Sequence, residues 1–304
     1  TYNRVKLYSQ KGKQFIRWGK ADILNPTDRF APRDFLSVVD TDFLGVTAAR
    51  LAYESGGNTL EVVWQPRFTP SRTPLLNQRW TVLPEDLSGL PVDDAGARYP
   101  GGSQFGARFN RIGAGWDASV SFFEGHNHLP LFDGTFAPGN SRIHLQRFYP
   151  QLRLYGADAA VPLRWFTLKA EAAYFTTTTP QADEYVLYVI QAERQWGEWF
   201  LVGGYAGEAV TERNPPFAFA PDRGLARAFL GRASYTIDAT RSLAVETAVR
   251  QNLDGVWVRF EYSQLFGQHW RATASFTLIR GEAGDFLGQF RRNSHGIIGL
   301  RYSF

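Results

Sequence analysis

The stretch His295-Gly296-Ile297-Ile298-Gly299-Leu300-Arg301-Tyr302-Ser303-Phe304 decides the fold class. Counted back from Phe304, the residues Phe304, Tyr302, Leu300 and Ile298 share one face, and Ser303, Arg301 and Gly299 the other. Successive side chains of an extended strand point to opposite faces, so this alternation marks a strand with one apolar side. The pattern continues upstream. Trp270, Ala272, Ala274, Phe276 and Leu278 oppose Arg271, Thr273, Ser275 and Thr277. Val256, Val258, Phe260 and Tyr262 oppose Trp257, Arg259, Glu261 and Ser263. Phe166, Leu168, Ala170, Ala172 and Tyr174 oppose Thr167, Lys169, Glu171 and Ala173.

Eleven more centres, near Val5, Ile16, Ala49, Val62, Ala107, Val120, Arg153, Val189, Tyr205, Ala233 and Val245, bring the count to about fifteen strands. Each runs roughly nine to twelve residues, enough to cross a bilayer as a tilted strand and longer than a sandwich strand of about five or six. The connections alternate in length. Ser55-Gly56-Gly57-Asn58, Gly113-Ala114-Gly115 and Gln195-Trp196-Gly197-Glu198 are tight, whereas 69–103, 125–142, 211–224 and 281–293 are long. Leu253-Asp254-Gly255 on the long side and Gly156 to Arg164 on the short side blur the pattern.

Short turns on one side and long loops on the other characterise bacterial outer-membrane barrels, with turns periplasmic and loops extracellular. The expected fold is therefore all-β: residues 1–304 as one antiparallel transmembrane β-barrel in a bacterial outer membrane. Even strand numbers are the rule for such barrels, so about fifteen visible strands imply about sixteen, with at least one N-terminal strand missing. Fourteen is the rival count, if the short strand Lys13–Trp18 does not pair.

Composition agrees. Among 304 residues, 44% are hydrophobic, 20% charged and 15% aromatic, which excludes a disordered tail. No run of eighteen apolar residues occurs, so no transmembrane helix is expected. Cys is absent, excluding disulfides and cysteine metal sites. Met is absent too, and no signal-peptide core precedes Thr1, so a processed or truncated chain is expected. The net charge is +4, but the arginines are spread along the chain rather than clustered, which argues against nucleic acid as a partner.

Two resemblances add to this reading. The terminal Phe304, with Tyr302 and other apolar residues at alternate positions before it, resembles the C-terminal signature of Gram-negative outer-membrane proteins. That resemblance implies recognition of Tyr302 and Phe304 by barrel-assembly machinery. Residues 11–80 resemble a poorly characterised family of outer-membrane barrel proteins. The resemblance rests on Trp18-Gly19-Lys20-Ala21-Asp22, Asn25-Pro26-Thr27-Asp28, Pro32-Arg33-Asp34 and Val63-Trp64-Gln65-Pro66-Arg67-Phe68 with Arg72. It implies a further strand before this block and a link to traffic in lipid or hydrophobic compounds. It supplies no catalytic residues.

By parity the residues facing a lumen include Arg17, Arg50, Arg67, Arg108, Arg147, Arg153, Lys169, Arg232, Arg250, Arg259, Arg271 and Arg301, with Arg4. Facing acids include Glu61, Glu171 and Glu261. An excess of positive charge in a confined pore concentrates anions. Alternatively, Arg–Glu ladders brace the wall and close it. Residues 19–43, with Asp22, Asn25, Asp28, Arg33, Asp34 and Asp40, form a candidate constriction loop. A self-capped exposed loop and a divalent-ion site are the alternatives. Nothing resembles a catalytic centre: Gly125-His126-Asn127-His128 lacks metal-ligand spacing, and no G-x-S-x-G or phosphate loop occurs.

The expectation is a porin-like channel for small solutes with mild anion preference, needing no cofactor and catalysing no reaction. A second possibility is a non-conducting scaffold, docking envelope proteins or further copies through the apolar residues of its long loops, such as Trp80, Leu90 and Phe136. A third is export of a hydrophobic compound, with Gly203, Gly204 and Gly207 weakening one strand.

Overall fold

A computed structural model describes residues 6–39, 41–76, 78–82, 91–137, 142–214 and 220–304; Arg4, Asp40 and Leu90 lie outside it. Fourteen strands form one antiparallel sheet. In sheet order they are β1 (Lys6–Gln14), β4 (Val46–Ser55), β5 (Asn58–Gln65), β7 (Gln104–Gly113), β8 (Trp116–His126), β11 (Gln151–Pro162) and β12 (Thr167–Thr176). Then follow β13 (Glu184–Trp196), β14 (Trp199–Glu212), β15 (Ala228–Thr236), β16 (Arg241–Arg250), β17 (Gly255–Phe266), β18 (Trp270–Gly281) and β19 (His295–Tyr302). Every strand pairs with its nearest sheet neighbour in sequence, a meander that needs only hairpin connections.

Where two strands were expected near Val5 and Ile16, the described residues hold one, β1 (Lys6–Gln14), so this sheet has fourteen strands where about fifteen were expected. The chain leaves the sheet after Gln14 because Ile16 and Trp18 are buried on its inner side, 1% and 2% exposed. Among the described residues no pairing joins β1 to β19. The stretch 156–162, expected as part of a long turn, belongs to β11, and the turn is 163–166.

The connections alternate as expected. Turns at 56–57, 114–115, 163–166, 197–198, 237–240 and 267–269 lie at one end; 15–45, 66–103, 127–150, 177–183, 213–227, 251–254 and 282–294 lie at the other. Two long connections build a separate three-stranded sheet from β6 (Val92–Arg98), β9 (Leu131–Ala137) and β10 (Arg142–Phe148). The first holds a two-stranded ladder, β2 (Arg33–Asp34) with β3 (Asp42–Phe43). The last carries a helical turn, α1 (Phe286–Gln289), capped by Asp285.

The two faces of the large sheet differ. One contiguous cluster of buried side chains joins Val46 and Val63 to Phe123, Phe175, Trp257 and Ile279, so the sheet curls around this face. A flat sheet of this width would span about 60 Å at ~4.8 Å per strand, too far for one cluster. The opposite, convex face exposes Leu51, Val62, Val120, Tyr155, Ile190, Phe229, Phe260 and Phe276. Towards the long connections it carries strings of touching rings, Phe105–Phe122–Tyr155 and Tyr188–Tyr205–Phe229, with centroids 5.3–6.3 Å apart. Towards the tight turns it carries exposed Trp116, Trp165, Trp196, Trp199, Trp270 and Tyr302. About 20 Å of strand separates the two belts. Gly203, Gly204 and Gly207 do not interrupt the pairing of β14 with β13, and the Tyr188 ring fills the space over Gly207.

Candidate functional site

The concave face is occupied by the first long connection. Its backbone turns repeatedly, so its N–H groups need acceptors; two carboxylates, Asp28 and Glu171, supply them, and a third, Glu61, holds the Trp18 side chain. Asp28, within the segment, accepts from the amides of Trp18 at 2.5 Å and Gly19 at 2.7 Å, and from Arg17 Nε at 3.1 Å. Glu171 on β12 accepts from Thr27 N and Thr27 Oγ1, both at 2.8 Å, from Lys20 N at 3.0 Å and from Ala21 N at 3.2 Å. Glu61 on β5 accepts from the Trp18 indole at 2.6 Å and from Arg50 at 2.5 Å. Gly19 is required by this seat: a Cβ there would lie 2.9 Å from either Glu171 oxygen and 2.8 Å from Asn25 Cβ.

Charges extend the seat sideways. Lys20 Nζ lies 2.7 Å from Asp158 and 2.9 Å from Asp117. Arg108 also reaches Asp158, at 3.1 Å. Lys169 bridges Asp22 at 3.3 Å and Glu193 at 2.7 Å, and the Asp22 amide donates to Gln191 Oε1 at 3.0 Å. Phe30 wedges between Trp18 and Phe123, edge-on to both.

The next two long connections lock the segment from the outer end. The His128 imidazole sits between the carbonyls of Arg29 and Thr69, each 2.6 Å from a ring nitrogen, with Phe68 stacked on it. Burial outweighs both carbonyls and lowers its pKa to about 4, so the ring is neutral at pH 7 and donates to one of them. Arg33 N donates to Ser71 Oγ at 3.0 Å, and Arg72 pairs with Asp34 at 2.7 Å. Trp80 packs on Phe290 and His295, tying the second long connection to the last.

The segment seats on β5 to β13 and leaves the concave face of β15 to β19 uncovered by such contacts. There Arg232 pairs with Glu246 at 3.4 Å, Arg259 with Glu261 at 2.8 Å, and Arg250 with Asp285 at 2.8 Å. Arg271 and Arg301 are cross-strand partners, and neither forms an ion pair among the described residues. Between the segment and β16–β17 lies a cavity of about 220 Å³, bordered by Asp28, Arg29, Arg33, Phe35, Glu246, Trp257, Arg259 and Phe286.

The structure places Arg50, Arg108, Lys169, Arg232, Arg250, Arg259, Arg271, Arg301, Glu61, Glu171 and Glu261 on the concave side of their strands, opposite the exposed apolar residues. Arg17, Asp22, Asn25, Asp28, Arg33 and Asp34 lie in the segment folded onto that face. Three expected positions are corrected. Arg153 is on the convex face with Glu124, 2.9 Å away, because Leu152 and Leu154 take the buried side of β11. Arg147 belongs to β10 of the small sheet, paired with Asp94 at 2.9 Å. Arg67 lies just beyond β5 and is exposed, with its carbonyl accepting from Gln65 Nε2. Sequence reasoning missed Lys20, Asp158, Trp257 and His128 as site residues; Arg29 belongs to the charged loop that the sequence singled out. Asp158 had a signal: it is a lone acid in Tyr155-Gly156-Ala157-Asp158-Ala159-Ala160.

No protein-family model and no curated protein matches the chain. Solved structures do. A multiple mutant of Rhodobacter blastica porin is 10% identical, with 88% of this chain and 80% of that chain covered and a TM-score of 0.44. A refined porin structure is 10% identical over 99% of this chain and all of the other, with a TM-score of 0.42. OmpT, an outer membrane protein of Vibrio cholerae, is 10% identical over 97% of this chain and 76% of that chain, with a TM-score of 0.36.

Proposed function

We propose that the chain is an outer-membrane channel for small solutes with a mild preference for anions, and that segment 15–45 sets its width. The convex face favours a bilayer setting: an apolar band between two aromatic belts suits hydrocarbon flanked by headgroups. The concave face combines a buried apolar cluster with many charged groups, among them Arg232, Glu246, Arg259 and Glu261 on the side that the segment does not seat on, and that charged side suits water. The observation that carries the reading is the lopsided seat of the segment. Its carboxylates are consumed by amides and cations on the β5–β13 side, whereas Arg271 and Arg301 on the other side form no ion pair among the described residues. Fixed cations without counterions raise the local concentration of anions. No chemical reaction is assigned.

Planar-bilayer recording of the purified chain tests this. Stepwise currents are expected, with a reversal potential in a salt gradient that favours the anion modestly. Absence of current, or strong cation preference, overturns the proposal.

A scaffold role is the second reading. The small sheet beyond the strand ends favours it, with β6 and β9 each unpaired along one edge among the described residues and Phe136 exposed. Gentle extraction with different chains co-purifying supports that role; a lone chain or a simple homo-oligomer supports the channel.

A further inference from the structure

The cavity between the folded-in segment and β16–β17 is bordered by two buried donors that have no acceptor among the described residues. Trp257, 5% exposed, has its indole N–H unpartnered. Arg29, 9% exposed, has its Nε–H unpartnered. A buried donor left without an acceptor is costly, and native interiors keep few of them. Both side chains border the same space. The missing group is therefore an acceptor.

The charges around the cavity indicate its sign. Asp28 is taken by Arg17 and two amides, Asp22 by Lys169, and Glu246 lies against Arg232. Asp222 lies 3.5 Å from Arg29 Nη1, which leaves Nε free. Arg33 hydrogen-bonds only neutral groups, Thr41 Oγ1 at 3.2 Å and Asn25 Oδ1 at 3.5 Å, and forms no ion pair among the described residues. Its guanidinium stacks on Phe43, and burial pulls its pKa down to about 10, the mark of a cation short of compensation. The rest of the border is apolar: Phe35, Val38, Leu187 and Phe286.

We propose that this cavity is a subsite for a small organic monocarboxylate, with its oxygens on Trp257 and Arg29 and its hydrocarbon body against Phe35, Leu187 and Phe286. Arg33 supplies the balancing charge. Water alone suits the donors but not the apolar border, and an inorganic anion suits the charge but not that border. The inference rests on the channel reading and gives it a solute class.

The test is calorimetric titration of the full chain in detergent, against a detergent blank, with hexanoate, acetate and hexanol as probes. Hexanoate is expected to bind at least about tenfold more tightly than either acetate or hexanol, since each lacks one half of the recognition. Trp257→Phe keeps the ring and removes the N–H; it is expected to weaken hexanoate by about tenfold. Arg33→Gln is expected to weaken hexanoate and leave hexanol unchanged. Unchanged melting temperatures certify that both variants fold. If hexanoate fails to bind, if hexanol matches it, or if Trp257→Phe binds it as the parent does, the two donors serve water only and the subsite is wrong. Binding is read without current, so hexanoate binding in a chain that passes no ions would overturn the channel and leave the subsite standing. Current without hexanoate binding would do the reverse.

Discussion

Glu171 and Thr27, separated by 144 residues, meet through two hydrogen bonds of 2.8 Å, one from the amide and one from the hydroxyl of Thr27 to the same carboxylate oxygen. The other oxygen takes the amides of Lys20 and Ala21. One wall side chain thus holds two turns of the folded-in segment. Glu171→Ala leaves three amides and a hydroxyl without their acceptor in a buried place. The seat should weaken by about 3 kcal/mol or more. Single-channel recording should show higher conductance and a noisier open level; unchanged conductance would mean that the segment does not set the width.

Gly19→Ala attacks the same seat from the other side. The added methyl would press on the Glu171 carboxylate and Asn25, and neither can retreat without breaking a hydrogen bond. A destabilisation of about 1–3 kcal/mol is expected, typical of an overpacked interior. Denaturant midpoints of the two proteins measure it.

Arg301→Glu converts the cross-strand Arg271–Arg301 pair from like to opposite charge. Stability should change by no more than about 1 kcal/mol, as for exposed pairs generally. The reversal potential should move towards cations. A variant with unaltered ion preference would place the selectivity elsewhere.

Phe276→Arg puts a charge into the middle of the convex band and should cost about 2–4 kcal/mol if that band meets lipid. Ser275→Arg, on the concave side, should cost far less. Thr277, also on the concave side, is 2% exposed and packed rather than solvated, so a charge there would be costly as well. Unfolding from vesicles compares the pair, and equal costs would contradict a lipid-facing convex side.

His128 makes the outer lock sensitive to acid. Its folded pKa, about 4, lies below the ordinary 6.5, so the unfolded chain binds the proton more readily. The stabilisation is therefore complete above pH 6.5 and is lost as the pH falls towards 4, by about 3 kcal/mol in all. His128→Gln should flatten this part of the stability profile, measured by thermal unfolding between pH 7 and pH 4.

Strand alternation was legible because it is local: the face of Arg259 or Phe276 follows from its neighbours alone. The same rule failed at Arg153, which was placed inward although Leu152 and Leu154 on either side take the buried face. It also failed at Ile16, whose apolar alternation continues after the chain has left the sheet. Periodicity records burial of a face and not the identity of the pairing partner. The density of Asp, Asn, Pro and Arg in 19–43 signalled a specially built segment, but not its seat. That depends on Glu171, Gln191 and Asp158, which arrive more than a hundred residues later and read as ordinary wall positions. Trp257 was assigned to the inner face; that its N–H would lack a partner depends on what the segment leaves open beside it.

The long reach of the seat also orders events in time. Ala21 and Asp22 find their partners 150 and 169 residues along the chain, and Asn293 reaches back 214 residues to the carbonyl of Arg79. Hairpins can form early because their partners are sequence neighbours, whereas contacts of high sequence separation come late and slowly. The segment therefore cannot find its place until β12 and β13 exist, so the chain passes through a stage with paired strands and an undocked plug. Any factor that holds the strands apart at that stage acts on how the segment is seated in the finished molecule.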